Sequence, residues 1–193
     1  MAASNFWTSD FTSGTIKDPK RKFRFRVEMT NLSGGTTIWF AKTATKPSFQ
    51  IAAAEHKYLN HTFYYPGTVT WQDVTITLVD PTDPDVAAGL SVLAEQGGYV
   101  IPADESVWLT MTKSKVAAAL GSVNVIQMDG EGADIEAWSL KNAFITEIKY
   151  GDLEYGADDL TELSLTLKYD WASMKDVAGN TYFKAGSSVP AIP

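Results

Sequence analysis

Apolar and polar residues alternate along most of this chain, the mark of half-buried β-strands. Phe23, Phe25, Val27 and Met29 alternate with Lys22, Arg24, Arg26 and Glu28, so one face of this run would meet a core and the other water. After Ser33-Gly34-Gly35 the pattern resumes over 36–42, with Ile38 and Phe40 on one face and Trp39 on the other. The glycines supply the positive φ values of a tight turn, so the two runs predict a hairpin. Residues 43–60 carry Lys46-Pro47-Ser48 and the small run Ala52-Ala53-Ala54. Proline is kept out of central strands, so this stretch predicts a long excursion instead of a regular ladder. Over 69–79 the chain returns to strand, with Val74, Ile76 and Leu78 opposed to Asp73, Thr75 and Thr77.

One helix is signposted, over about 84–96. Asp83 suits the N-cap, Pro84 the first helical position, and Asp85 the positive end of the dipole. Val86, Leu90, Leu93 and Ala94 make an apolar stripe, and Gly97 suits a left-handed C-terminal residue. Over 106–128 the signal is mixed: strand at 107–111, a short helix at 114–120, and strand at 123–128. Residues 136–150 read as one long strand with 160–171 as its partner. In the latter, Leu163, Leu165, Leu167, Tyr169 and Trp171 alternate with Glu162, Ser164, Thr166, Lys168 and Asp170. The longer run would reach roughly 50 Å if unbroken, so a bulge or bend is expected within it. Residues 172–193, rich in Gly, Ser and Pro, read as an exposed tail.

Length and composition narrow the class. A chain of 193 residues that is 45% hydrophobic predicts one domain with a real core. No run of apolar residues is long enough for a membrane-spanning helix, and residues 1–14 have neither the basic nor the apolar region of a secretory leader. Without cysteine there is no disulfide, thiolate nucleophile or cysteine-bound metal, which fits a reducing cytosol. The formal charge of −7 is uneven. Residues 1–30 hold six basic groups and three acids, whereas 129–170 hold eleven acids and three bases. A DNA-coating protein needs the opposite sign to neutralise phosphates, so tight DNA binding by the body of the chain is disfavoured.

The candidate chemistry is sparse. His56 and His61 have no third ligand at metal spacing, and strand periodicity would set them on opposite faces. The acidic run from Asp129 to Glu136 lacks the order of a calcium loop and reads as a turn between strands. Asp158 and Asp159, as paired carboxylates, could in principle serve a glycosidase, but they sit in a turn. No phosphate-binding or nucleophile-elbow motif occurs. The basic run 20–26 reads either as the solvated face of an edge strand or as a protein contact through Arg24 and Arg26. Six tryptophans and eight tyrosines would permit a sugar platform, but Tyr169 and Trp171 fall in phase with apolar positions and suit a core or subunit interface.

The order of the pieces resembles the tail tube protein of contractile-tailed, T4-like bacteriophages. The residues that carry the resemblance are Phe23 to Met29 as first strand and Lys42-Thr43-Ala44-Thr45-Lys46-Pro47, similar to the family's K-A-T-x-x-P strand exit. They continue with Phe63 through Thr70-Trp71-Gln72-Asp73-Val74-Thr75-Ile76-Thr77-Leu78, and end with Trp138 through Gly151-Asp152-Leu153-Glu154-Tyr155 to Trp171. The resemblance spans 20–171, with 1–20 and 172–193 as extensions on a domain of 21–171. It implies a mainly β fold, a β-sandwich or barrel subunit with one short helix, that assembles laterally into a ring-shaped β-barrel.

It further implies a structural protein with no catalytic, metal or cofactor site, forming stacked hexameric rings whose acidic lumen conducts DNA without binding it specifically. The implied partners are itself, the tail sheath, baseplate and tail terminator; the implied place is the virion tail, assembled in the host cytoplasm without membrane insertion. Within that picture Glu162, Ser164, Thr166, Lys168 and Asp170 are the lumen-facing candidates. Pro47, Phe49, His56, Tyr58 and Asn60 are candidates for an inter-ring loop, and Arg24 and Arg26 for lateral contact. Rival readings are a tube subunit of a phage-derived injection or type VI-like secretion machine, a baseplate tube-initiator, and a carbohydrate-binding β-sandwich.

Overall fold

The computed structural model describes residues 19–32, 37–104, 108–156 and 158–186. Among these the strands are β1 (Phe25–Met29), β2 (Thr37–Ile38), β3 (Ala41–Ala44), β4 (Phe49–Tyr58), β5 (His61–Trp71) and β6 (Val74–Val79). After helices α1 (Val86–Gln96) and α2 (Lys113–Leu120) come β7 (Val123–Met128), β8 (Asp134–Lys141), β9 (Phe144–Lys149), β10 (Glu162–Lys168), β11 (Trp171–Asp176) and β12 (Thr181–Tyr182). A six-stranded sheet runs β12-β11-β8-β7-β1-β2, a four-stranded sheet β3-β6-β10-β9, and β4-β5 form a sheet of their own. The fold is mainly β, and among the described residues none of the sheets closes into a barrel.

One apolar core joins the two larger sheets and α1. The alternation on β6 and β10 makes one side of it: Val74, Ile76 and Leu78 stand opposite Leu167, Leu165 and Leu163, all fully buried. Val27, Met29, Val123, Leu140 and Ala172 face them from the six-stranded sheet, and Val86, Leu90 and Leu93 cover the core from α1. Ile38 and Phe40 are buried and Trp39 exposed, as their alternation predicts.

Three expected strands prove to be strands that change sheet. The run 36–42 gives only β2 before the chain crosses at Trp39 and Phe40 into β3. The long strand expected over 136–150 is β8 in one sheet and β9 in the other, broken at Asn142, whose φ is +53°, and at buried Ala143. Its expected partner 160–171 pairs only with the second half: β10 pairs β9, while β8 pairs β11. The two crossings are tied together, since the Asp170 N–H donates to the Lys141 carbonyl at 3.0 Å and Asn142 Nδ2 donates to Asp170 Oδ2 at 2.7 Å.

Other expectations need correction. The excursion expected over 43–60 is a regular hairpin, with Pro66 opposite Ala53 at a register shift where a missing donor is tolerated. Helix α1 is capped by Asp85, whose carboxylate accepts the Ala88 N–H at 2.8 Å, and not by Asp83. Gly97 is right-handed; Gly98, at φ +98°, takes the left-handed position. The short helix expected at 114–120 forms as α2, capped by Thr112, so the fold has two helices where the resemblance implied one. Residues 108–112, within the strand expected at 107–111, are irregular. β1 is not an edge strand, because β2 covers it. The tail expected from residue 172 begins as β11, and β12 extends the six-stranded sheet. The turn at 33–35 lies outside the described residues.

Candidate assembly surfaces

Three surfaces carry the residues singled out by the sequence. The first is the polar face of the four-stranded sheet. Cross-strand pairing puts Thr75 with Thr166 and Thr77 with Ser164 on one face, and continues it through Glu147 and Lys149 of β9. Glu162 bonds to Lys42, Lys168 lies 3.2 Å from Asp73, and Lys149 lies 3.4 Å from Glu147. Three ammonium groups thus meet three carboxylates across a floor of hydroxyls, so the face is charge-balanced where an acidic wall was expected. Asp170 lies beyond the end of β10, in the bend before β11. Hydrogen bonds from Lys113, at 2.6 and 2.7 Å, and from Asn142 lower its carboxyl below the usual range, so it staples α2 to the sheet crossing. The edges of this sheet, β3 and β9, pair with no further strand among the described residues.

The second surface is the β4-β5 hairpin. Every residue of β4 is exposed, and on β5 only Thr62 and Trp71 are partly covered. Ten residues at about 3.4 Å each project roughly 30 Å. The pairs Tyr58–His61, His56–Phe63 and Ala54–Tyr65 share one face, and Glu55–Tyr64 and Lys57–Thr62 the other. His56 and His61 therefore lie on the same face, not opposite ones, because a turn separates them. Among the described residues no three His, Asp or Glu side chains gather as a metal site. The inter-ring candidates divide: Pro47, which is buried, and exposed Phe49 belong to the hairpin's base, whereas His56, Tyr58 and Asn60 stand near its tip.

That base is an aromatic cluster which the alternation pattern did not reveal. Phe49 packs on Trp71 at 5.1 Å between ring centroids, and Phe183 meets both edge-on at 5.6 Å. Trp138 stacks on Phe183 at 6.4 Å and Tyr169 tilts against Trp71 at 5.9 Å. Phe183 has φ +58° and lies just past β12, in the stretch read as a tail.

The third surface surrounds β1. Arg26 is 3.0 Å from Glu28 and 2.9 Å from Asp134, and Arg24 lies over the Phe23 ring at 5.6 Å. Nearby is a group that the sequence did not flag. Burial would raise the Glu136 carboxyl, but hydrogen bonds from Lys20, Lys46 and Trp138 outweigh it and lower it to about 2. Lys46 Nζ reaches Glu136 Oε1 at 2.7 Å and Gln127 Oε1 at 2.6 Å, so this network ties the strand exit after β3 to β7 and β8. Its only trace in the sequence is an acid in phase with apolar neighbours.

No family model matches the sequence, and comparison by sequence with characterised proteins gives no match. The fold does have counterparts among solved structures. It is similar to a chain of the sheath–tube complex of an extracellular contractile injection system, PVC, in its extended state, with a TM-score of 0.63, 16% identity, and cover of 88% of this chain and 98% of that one. It is similar to a chain of the six-fold symmetrised baseplate of the anti-feeding prophage, with a TM-score of 0.61, 15% identity, and cover of 84% and 99%. A chain from the tube-terminating cap of the same prophage gives a TM-score of 0.59 at 14% identity, covering 84% and 94%. At such identities the likeness is one of fold.

Proposed function

We infer that the chain is the tube subunit of a contractile injection machine of the phage-tail kind, a structural protein that works as a polymer. The observation that carries this reading is the β4-β5 hairpin: two strands in water are marginal, and this pair holds Ile51, Tyr58, Phe63, Tyr64, Tyr65 and Val69 exposed. A neighbouring copy that covers it would remove the exposure. The free edges β3 and β9 support the same conclusion, because closing a ring satisfies both. The fold shared with chains of sheath–tube, baseplate and terminating-cap assemblies supports sheath, baseplate and terminator as partners, and the six-fold baseplate supports hexameric rings.

In this reading the lumen is lined by the polar face of Ser164, Thr166, Lys168 and Glu162, and the hairpin bridges stacked rings. Arg24 and Arg26 serve chiefly to hold β1 in its own subunit. Ion-paired and rich in hydroxyls, such a wall carries little net charge and grips neither phosphate nor protein, so it suits a conduit for DNA in a virion tail or for another cargo in an injection machine. Electron microscopy of the purified protein over a concentration series tests the assignment. Rings or hollow filaments are expected; a strict monomer at high concentration that is retained on a sugar column would overturn it.

A further inference from the structure

A groove runs between the free edge of β3 and the strands β1 and β7, with a volume of about 860 Å³. Phe23 and Phe25 give it an apolar lining, and Lys20, Lys22, Lys42 and Lys46 surround it. Lys20 and Lys46 share one carboxylate, Glu136, and Lys42 has Glu162. Lys22 has no ion pair among the described residues. Four ammonium groups thus face two carboxylates, and each of the three paired lysines is about half exposed. The groove asks for an occupant that is both acidic and apolar.

The chain carries such a segment. Between β9 and β10, Gly151-Asp152-Leu153-Glu154-Tyr155 alternates acids with large apolar side chains and contains no base. Leu153 is 89% exposed and Tyr155 wholly so, with nothing among the described residues to cover them. Gly151, at φ +79°, fixes the root of the loop: a Cβ there would come within 2.5 Å of the Glu162 carbonyl. The topology supplies the meeting. This loop leaves β9, one open edge of the four-stranded sheet, and the groove lies along β3, the other. Edge-to-edge addition of a second copy brings the β9 edge of one to the β3 edge of the next.

We propose that the lysine-lined groove beside β3 receives the acidic loop 151–155 of a neighbouring copy, as a charge-complementary latch on the lateral contact. The latch deepens the tube reading and rests on it. It sets the direction of addition around the ring, since each copy offers one groove and one loop, and like edges repel. Within its own chain the loop shares only Lys42 with the groove's lining.

The absence of cysteine makes the test direct. The full chain carrying both Phe23→Cys and Leu153→Cys is assembled, oxidised gently and run on a non-reducing gel beside each single variant. A disulfide needs its two Cα atoms within about 7 Å, so the readout is geometric. A ladder of covalent multimers from the double variant, lost in either single variant, is expected. Particles visible by electron microscopy without a ladder, or with only an internally bridged monomer, would overturn the latch and leave the tube reading standing. If the unmodified chain forms no particles, both fall. Lys22→Glu, which breaks no ion pair within the chain, is expected to abolish assembly, and Asp152→Lys added to it to restore assembly; loss without restoration counts against the latch.

Discussion

β10 and β5 are both antiparallel strands in one chain, yet they belong to opposite regimes. β10 buries Leu163, Leu165 and Leu167 completely and is paired on both sides, by β6 and β9. β5 is longer, richer in aromatics, paired on one side only and exposed nearly throughout. The difference lies in layers. A sheet needs another layer against its apolar face, and the sandwich supplies one from within the chain. The hairpin has none beyond its aromatic base. The sandwich is therefore self-sufficient as a folded unit, whereas the hairpin leaves apolar surface uncovered, which on the proposed reading a neighbouring copy would cover.

The largest test of that contrast compares one truncation from each region. Leu165→Ala, in the sandwich, is expected to lower stability by about 2–5 kcal/mol, read by urea unfolding. Phe63→Ala, in the hairpin, removes more side-chain volume but is expected to change monomer stability by less than about 0.5 kcal/mol, because the ring is exposed. In assembled material the ranking should reverse, with Phe63→Ala the more damaging to filament yield. Equal losses in the monomer would mean that the hairpin folds as part of the core.

Glu136 gives the next effect, inside the sandwich and dependent on pH. Its carboxyl sits at about 2 in the folded chain, against 4.5 ordinarily, so the folded state favours the charged form. The stability this contributes is fully present above 4.5 and is lost as pH falls towards about 2. Glu136→Gln leaves Lys20 and Lys46 without their carboxylate and is expected to cost about 1–3 kcal/mol at neutral pH. Urea unfolding at a series of pH values checks the sign: the variant should lose less stability than the unmodified chain between neutral and acid pH. Parallel curves would remove Glu136 from the account.

The sandwich was legible in the sequence and the hairpin largely was not, for one physical reason. Alternation reports a strand with one dry face, so β1, β6 and β10 stood out. β4 and β5 have two wet faces in the isolated chain, and Tyr64 and Tyr65 beside Phe63 spoil any period of two. Pro47 and the small residues 52–54 then favoured an irregular excursion. Sheet crossings are hidden for a related reason: alternation passes almost unbroken from β8 to β9, and only Asn142 marks the change. Four of the lumen candidates share a face and Asp170 lies beyond it, and the neutrality of that face needed the charged neighbours Asp73, Glu147 and Lys149. Phe183 was invisible because its contacts lie far away in sequence.

That ring joins the two regions, so its removal should separate them. Phe183→Ala deletes contacts with Phe49, Trp71 and Trp138, each of the kind worth about 0.5–1.5 kcal/mol. Phe183 stands outside the buried core, so the sandwich should keep its unfolding midpoint to within a small shift. Amide exchange in β4 and β5 is instead expected to accelerate. Faster exchange spread equally over β6 and β10 would show that the aromatic cluster is part of the main core.

The smallest effect is also the one whose sign divides folding from association. Leu59 opens the two-residue turn at the hairpin tip with φ +54°, where glycine is the usual occupant, and it is 88% exposed. A bulky residue at positive φ costs about 1 kcal/mol, and among the described residues little packs on Leu59 to offset it. Leu59→Gly should therefore leave the isolated protein as stable or steadier by up to about 1 kcal/mol, seen as slower amide exchange near the turn. The same change takes the apolar side chain from the turn of the exposed hairpin. If that tip seats on an adjoining ring, the variant assembles less readily while its monomer is steadier, and the two measurements move in opposite directions. A variant that improves both would take the tip out of the contact.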